Sequence, residues 1–133
     1  VSTTVQPERA LLDTSVLIAG DVAPIPGVLA ISAISLAELQ FGVLVAKTSA
    51  VRAERLRRLS ILQKHFDALP VDDAVAISYG RLAAAVVDAG RQPRRRAMDL
   101  LIAATAHAHG ARLYTRNIDD FAGLEDLVEI VAV

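Results

Sequence analysis

Four carboxylates stand where a chain that alternates strands and helices would bring them together. Asp13 ends the apolar run Leu11-Leu12 and is followed by the hydroxyls of Thr14 and Ser15. Glu38 occupies the last place of Ser35-Leu36-Ala37-Glu38, Asp99 falls in the first turn of an apolar helical stretch, and the fourth is Asp119 or Asp120 in a polar turn after a strand. Taken singly, each has an ordinary structural role: Glu38 closes a capping box, Asp99 complements a helix dipole, Asp13 caps a short helix, and the last pair are turn residues. Their shared position says more. In a parallel sheet with right-handed crossovers, strand C-termini and the N-termini of helices meet on one edge. Carboxylates gathered there repel one another, and no lysine is placed between them, so a hard divalent cation is the economical partner. Oxygen ligands in a chain without cysteine suit Mg²⁺ or Mn²⁺. Thr14, Ser15, Thr115 and Asn117 are the expected supports, hydrogen-bonding the carboxylates or the ion's waters.

The elements that would position these acids follow from apolar periodicity and from the breakers. Arg9–Ser15 reads as a buried strand, with a short helix to Ala19 and then a loop from Gly20 to Gly27 that Pro24 and Pro26 keep irregular. Val28–Ile34 is a second strand, and Ser35 caps a helix to about Ala46. Val51–Phe66 is read as an amphipathic helix with Leu56, Leu59, Leu62 and Phe66 on its apolar face. Ala68–Val71 is a short extended piece at a sheet edge, where Pro70 is tolerated. A helix capped by Asp72 or Asp73 runs to Ala89 and stops at Gly90, and Arg91–Arg96 is a basic loop. The next helix, from Ala97 to Gly110, is apolar nearly all round. Arg112–Arg116 and Leu127–Val133 are the last strands. The order predicts a three-layer α/β/α domain on a parallel sheet, with residues 1–10 as a lead-in and 11–133 as the domain.

Composition narrows the alternatives. At 133 residues the chain is one domain, and an apolar fraction of 53% calls for a sheet covered on both faces or an apolar surface given to a partner. No apolar run is long enough for a membrane span and Val1–Arg9 does not read as a secretory signal, so a cytoplasmic protein is expected. The net charge of −1 conceals a segregation. Arg52, Arg55, Arg57, Arg58 and Lys64 share one segment and Arg91, Arg94, Arg95 and Arg96 another, while acids alone mark the stretch after Asn117. Either basic cluster serves as a solvated face or as a phosphate contact. With three Phe, two Tyr and no Trp, base stacking is a poor expectation, so nucleic-acid contact would be to the backbone. His107 and His109 are two apart on a helix and cannot share a ligand. No phosphate-binding glycine pattern and no nucleophile elbow occur.

Leu12-Asp13-Thr14-Ser15, Ser35-Leu36-Ala37-Glu38-Leu39, Asp99 through Ala106, and Thr115-Arg116-Asn117-Ile118-Asp119-Asp120-Phe121 together resemble the PIN domain, and within it the VapC toxins of bacterial toxin–antitoxin pairs. The resemblance spans Leu11 to Val133. It implies a Mg²⁺- or Mn²⁺-dependent endoribonuclease, silenced by a VapB-type antitoxin and commonly a homodimer. Carried across motif by motif, Asp13, Glu38 and Asp99 match the first three acids of the family and Asp120 the fourth. Asn117 stands where many members have an acid, and Asp119 competes for the fourth place. Arg94, Arg95, Arg96 and Arg116 are candidate RNA contacts. Two other classes fit the sequence less well. A phosphoacceptor receiver domain would need paired acids after the first strand and a late lysine, and no Lys follows Lys64. A PIN-like module that binds RNA or protein without cutting would be expected to have lost some of the acids.

Overall fold

The computed structural model describes residues 7–133. Four parallel strands, β1 (Arg9–Leu12), β2 (Val28–Ala30), β3 (Arg112–Thr115) and β4 (Ile130–Ala132), lie in the order β2-β1-β3-β4. Leu11 pairs with Ala30 on one side and Leu113 on the other. β1 and β3 are therefore central, and Ala10, Leu11, Leu12, Leu113, Tyr114 and Thr115 are all buried. Such runs without alternation are what strands covered on both faces require.

Alternate residues sort into two cores. Leu11 and Leu113 face α4 (Asp73–Asp88) and α5 (Ala97–Ala108), packing with Val75, Leu82, Val86, Leu100 and Ile102. The all-round apolar character of Met98–Ala106 follows, because α5 lies between α4 and the sheet. On the other face Ala10, Leu12 and Tyr114 pack with Val16 of α1 (Thr14–Ile18), the loop residues Val22 and Ile25, and Phe66 at the end of α3 (Ser49–His65). Both faces are thus covered, as the sequence predicts. Of the expected lead-in, Arg9 and Ala10 are part of β1, and residues 1–6 lie outside the described residues.

Several boundaries differ for identifiable reasons. α2 (Ala33–Leu44) is capped by Ser32, whose hydroxyl accepts from the Ile34 amide at 3.0 Å, and not by Ser35. The expected second strand is thereby cut to Val28–Ala30, and Ser35 becomes a buried helix residue. Leu69 donates to the Ile31 carbonyl and accepts from Ala33, both at 2.9 Å, so the Ala68–Val71 piece borders the extended backbone just after β2, through one bridge to Ser32. The basic loop closes as a 3₁₀ turn, η1 (Pro93–Arg96), and the acidic turn as another, η2 (Ile118–Phe121). In α3 only Leu59 is buried; Leu62 and Phe66 are half-buried and Leu56 is 49% exposed, because α3 packs chiefly on α2 rather than on the sheet. Gly27, at φ 102°, opens β2 where a Cβ would collide with the Glu8 carbonyl oxygen.

Candidate functional site

Asp13 leaves β1 at the C-terminal edge, its amide still in the ladder at 2.9 Å from the Tyr114 carbonyl. Its side chain is 5% exposed. Two hydroxyls fix it. Ser15 Oγ donates to Oδ2 at 2.7 Å and Thr115 Oγ1 to the same oxygen at 2.9 Å. Each hydroxyl also accepts a backbone amide, Ser15 from Arg116 and Thr115 from Asn117, both at 3.0 Å. The exit of β3 is thereby tied to the exit of β1, and Asp13 Oδ1 is left for a ligand.

Thr14 organises the second acid. Its hydroxyl donates to Glu38 Oε1 at 2.7 Å and therefore accepts from Ser35 Oγ, at 2.9 Å. Ser35 and Glu38 are three apart on α2 and present one face to α1. Sequence reasoning gave Ser35 to a helix cap and missed this role; the signal was its spacing from Glu38.

Asp99 comes from the first turn of α5, which runs antiparallel to the strands and so starts at the same edge. Its carboxyl is pushed up to about 6, first by burial and then by the charges of Asp120, Asp13 and Glu38, with Arg96 opposing. All four expected acids therefore share one electrostatic neighbourhood, with Asp120 the member contributed by η2.

No lysine stands among the acids, but one of the three arginines expected near this edge, Arg96, does. Its Nη1 donates to the Asp119 carbonyl at 2.9 Å and lies 3.8 Å from Asp120 Oδ1, holding η2 against the start of α5. Arg116 is turned away, donating to Asp21 at 2.8 Å. Arg94 and Arg95 are exposed. The side chain of Asn117 makes no cap hydrogen bond; its amide, not its carboxamide, belongs to the network.

The donor set is oxygen only, and its mutual repulsion is the kind a divalent cation relieves. Among the described residues no three His, Asp or Glu side chains are drawn to one point at ligating distance.

A parallel sheet whose C-terminal edge gathers acids from β1, α2, α5 and the turn after β3 defines an acid-edged α/β domain of the PIN class. The PIN domain family model matches residues 10–127, and the chain belongs to that family, in its VapC branch. It is 41% identical to Ribonuclease VapC5 of Mycobacterium tuberculosis, covering 96% of this chain and 97% of that protein. Ribonuclease VapC8 of the same organism is 44% identical over 72% of this chain and 88% of its own length. The crystal structure of VapBC-5 from M. tuberculosis, a member of the VapBC family of toxin–antitoxin systems, superposes with a TM-score of 0.84 at 42% identity, covering 96% of this chain and all of that one.

Proposed function

We propose that this VapC-type chain is a divalent-metal-dependent endoribonuclease, the toxin half of a cytoplasmic toxin–antitoxin pair. The observation that supports the reading is that Asp13 at the end of β1, Glu38 held by Thr14, Asp99 at the start of α5 and Asp120 beside Arg96 lie near enough to one another for the other three charges to add to burial in raising the Asp99 carboxyl. The ribonuclease names of the relatives and the toxin–antitoxin origin of the similar structure support it.

Asp13 and Asp99 would be the primary ligands of Mg²⁺ or Mn²⁺ and Asp120 an outer or second ligand, while Glu38 would hold the ion through water or accept a proton from the attacking water. A cation bound there lowers the pKa of a water and offsets charge on the phosphate and the departing oxygen. The chain's own work is to hold the carboxylates ready. Ser15 and Thr115 orient Asp13 Oδ1, Thr14 leaves Glu38 Oε2 free, and Arg96 keeps Asp120 beside Asp99. Water attacks phosphorus in line, its oxygen forms the new P–O bond, the bond to the departing oxygen breaks, and that oxygen ends protonated.

The antitoxin is a VapB-type protein, and the surface offered to it is the apolar side of α2 and α3, where Phe41 is 65% and Leu44 63% exposed. Self-association is assigned to α4, on which Ile77, Gly80, Ala84 and Val87, three and four apart, are exposed.

Incubating the purified chain with cellular RNA, with Mn²⁺ and with chelator, tests the activity. Cleavage that needs Mn²⁺ is expected; absent or chelator-insensitive cleavage would leave a binding module.

A further inference from the structure

A groove of about 400 Å³ runs from Glu38 away from the other acids, between α1, α2 and α3. Ile18 and Leu39 supply its apolar lining, and Arg55 and Arg58 of α3 its cationic wall. Arg55 is fixed there, donating to the Gly42 carbonyl at 2.7 Å. Arg58 is half-buried and makes no ion pair or hydrogen bond among the described residues, because the nearest acid on α3, Glu54, is taken by Arg57 at 2.7 Å. Two guanidinium groups therefore line a groove whose one acid is Glu38, a member of the candidate site.

We propose that this groove holds single-stranded RNA on one side of the bond being cut, with Arg58 contacting a flanking phosphate directly and Arg55 assisting. A polyanion entering four carboxylates meets repulsion that cations bound at the acids offset only at the reacting phosphate; the neighbouring phosphates need counter-charges of their own. A guanidinium fork is suited to that, since it grips a phosphate through two parallel hydrogen bonds. Ile18 and Leu39 give sugar or base an apolar floor in a chain with few aromatic residues, which predicts binding with weak sequence preference in this segment. This assignment rests on the ribonuclease reading. Continuity with Glu38 is what favours RNA over a protein segment as occupant.

The test is binding of a fluorescein-labelled, mixed-sequence single-stranded RNA of about 12 nucleotides to the full chain with Ca²⁺ in place of Mn²⁺, over a series of KCl concentrations. Arg58→Ala should weaken binding about tenfold and flatten the dependence of log affinity on log salt by about 0.7, the value of one phosphate contact on a single strand. Arg58→Lys should recover part of both, Arg55→Ala should lose less, and Arg57→Ala, a variant of an exposed pair, should match the unsubstituted protein. With Mn²⁺, Arg58→Ala should raise KM and leave kcat within about twofold. An unaltered affinity and salt slope in Arg58→Ala overturns the proposal, as does failure of the unsubstituted chain to bind this RNA. A loss that Lys does not rescue and salt does not sense overturns it too, as does a defect confined to antitoxin binding. RNA binding with these signatures but without Mn²⁺-dependent cleavage would sink the ribonuclease reading and leave the groove standing.

Discussion

Asp99 carries the account at the scale of single residues, because its carboxyl binds a proton where a free aspartate would not. Folded, it titrates near 6, against 3.8 for the ordinary carboxyl. Between those values the folded chain holds more protons than the unfolded one, so stability falls as pH rises from about 4 to 6 and the contribution is gone above that range. Thermal melts in EDTA should show that decline, and Asp99→Asn should flatten it; an unaltered profile in the variant would refute the assignment. Mg²⁺ should stabilise the protein more at pH 7 than at pH 5, since the ion competes with the proton. Asp13→Asn and Asp99→Asn should each abolish RNA cleavage while leaving the far-ultraviolet circular dichroism unchanged, and cleavage preserved in both would defeat the mechanism. Thr115→Val removes one of two hydroxyl donors to Asp13 Oδ2. It should cost about 1 kcal/mol in denaturant melts and about tenfold in cleavage rate. That Asp13, Glu38, Asp99 and Asp120 would come near one another was legible in the sequence, because each follows a strand or lies within the opening turns of a helix. Arg96 was not, because nothing in Arg94-Arg95-Arg96 says which of three adjacent cations turns inward once Pro93 starts a 3₁₀ turn.

Among the elements, α2 shows where a local motif and the tertiary structure part company. Ser35-Leu36-Ala37-Glu38 has the form of a capping box, yet the helix starts at Ala33 under Ser32. Both serines suit a cap locally; the choice falls to Ser32 because Leu69 pairs across Ile31 and Ala33 and ends the extended backbone there. Ser35 and Glu38 are thereby released to meet Thr14. Ser32→Ala should lower stability by about 1 kcal/mol. Ser35→Ala should instead leave helix content intact and slow cleavage, by freeing Thr14 and Glu38; the reverse pattern in melts and cleavage assays would restore the capping box. The strands and helices themselves were readable from period and breakers, since buried parallel strands and the all-apolar α5 have few alternatives. The exposure of α3 was not. Its apolar spacing satisfies a packed helix, but it leans on α2 instead of the sheet, so much of its stripe remains outside.

For the molecule as a whole, the surface divides by chemistry. Acids mark the C-terminal edge of the sheet, an arginine-walled groove leads away from Glu38, and α2, α3 and α4 each carry exposed apolar side chains. A partner lying along α2 and α3 would cover the groove as well, which makes inhibition by steric exclusion the simplest form of control. If α4 pairs two copies, Ile77→Asp should convert a dimer to a monomer in light scattering without changing the melting temperature of the monomeric fold; an unchanged mass would move the contact elsewhere. The central claim, that acids remote in sequence form a cation site, is tested most directly by anomalous diffraction from crystals of the protein soaked in Mn²⁺. The account predicts a peak between Asp13 Oδ1, Asp99 and Asp120 that Asp99→Asn removes. No peak at that edge, or the same peak in the variant, would contradict it.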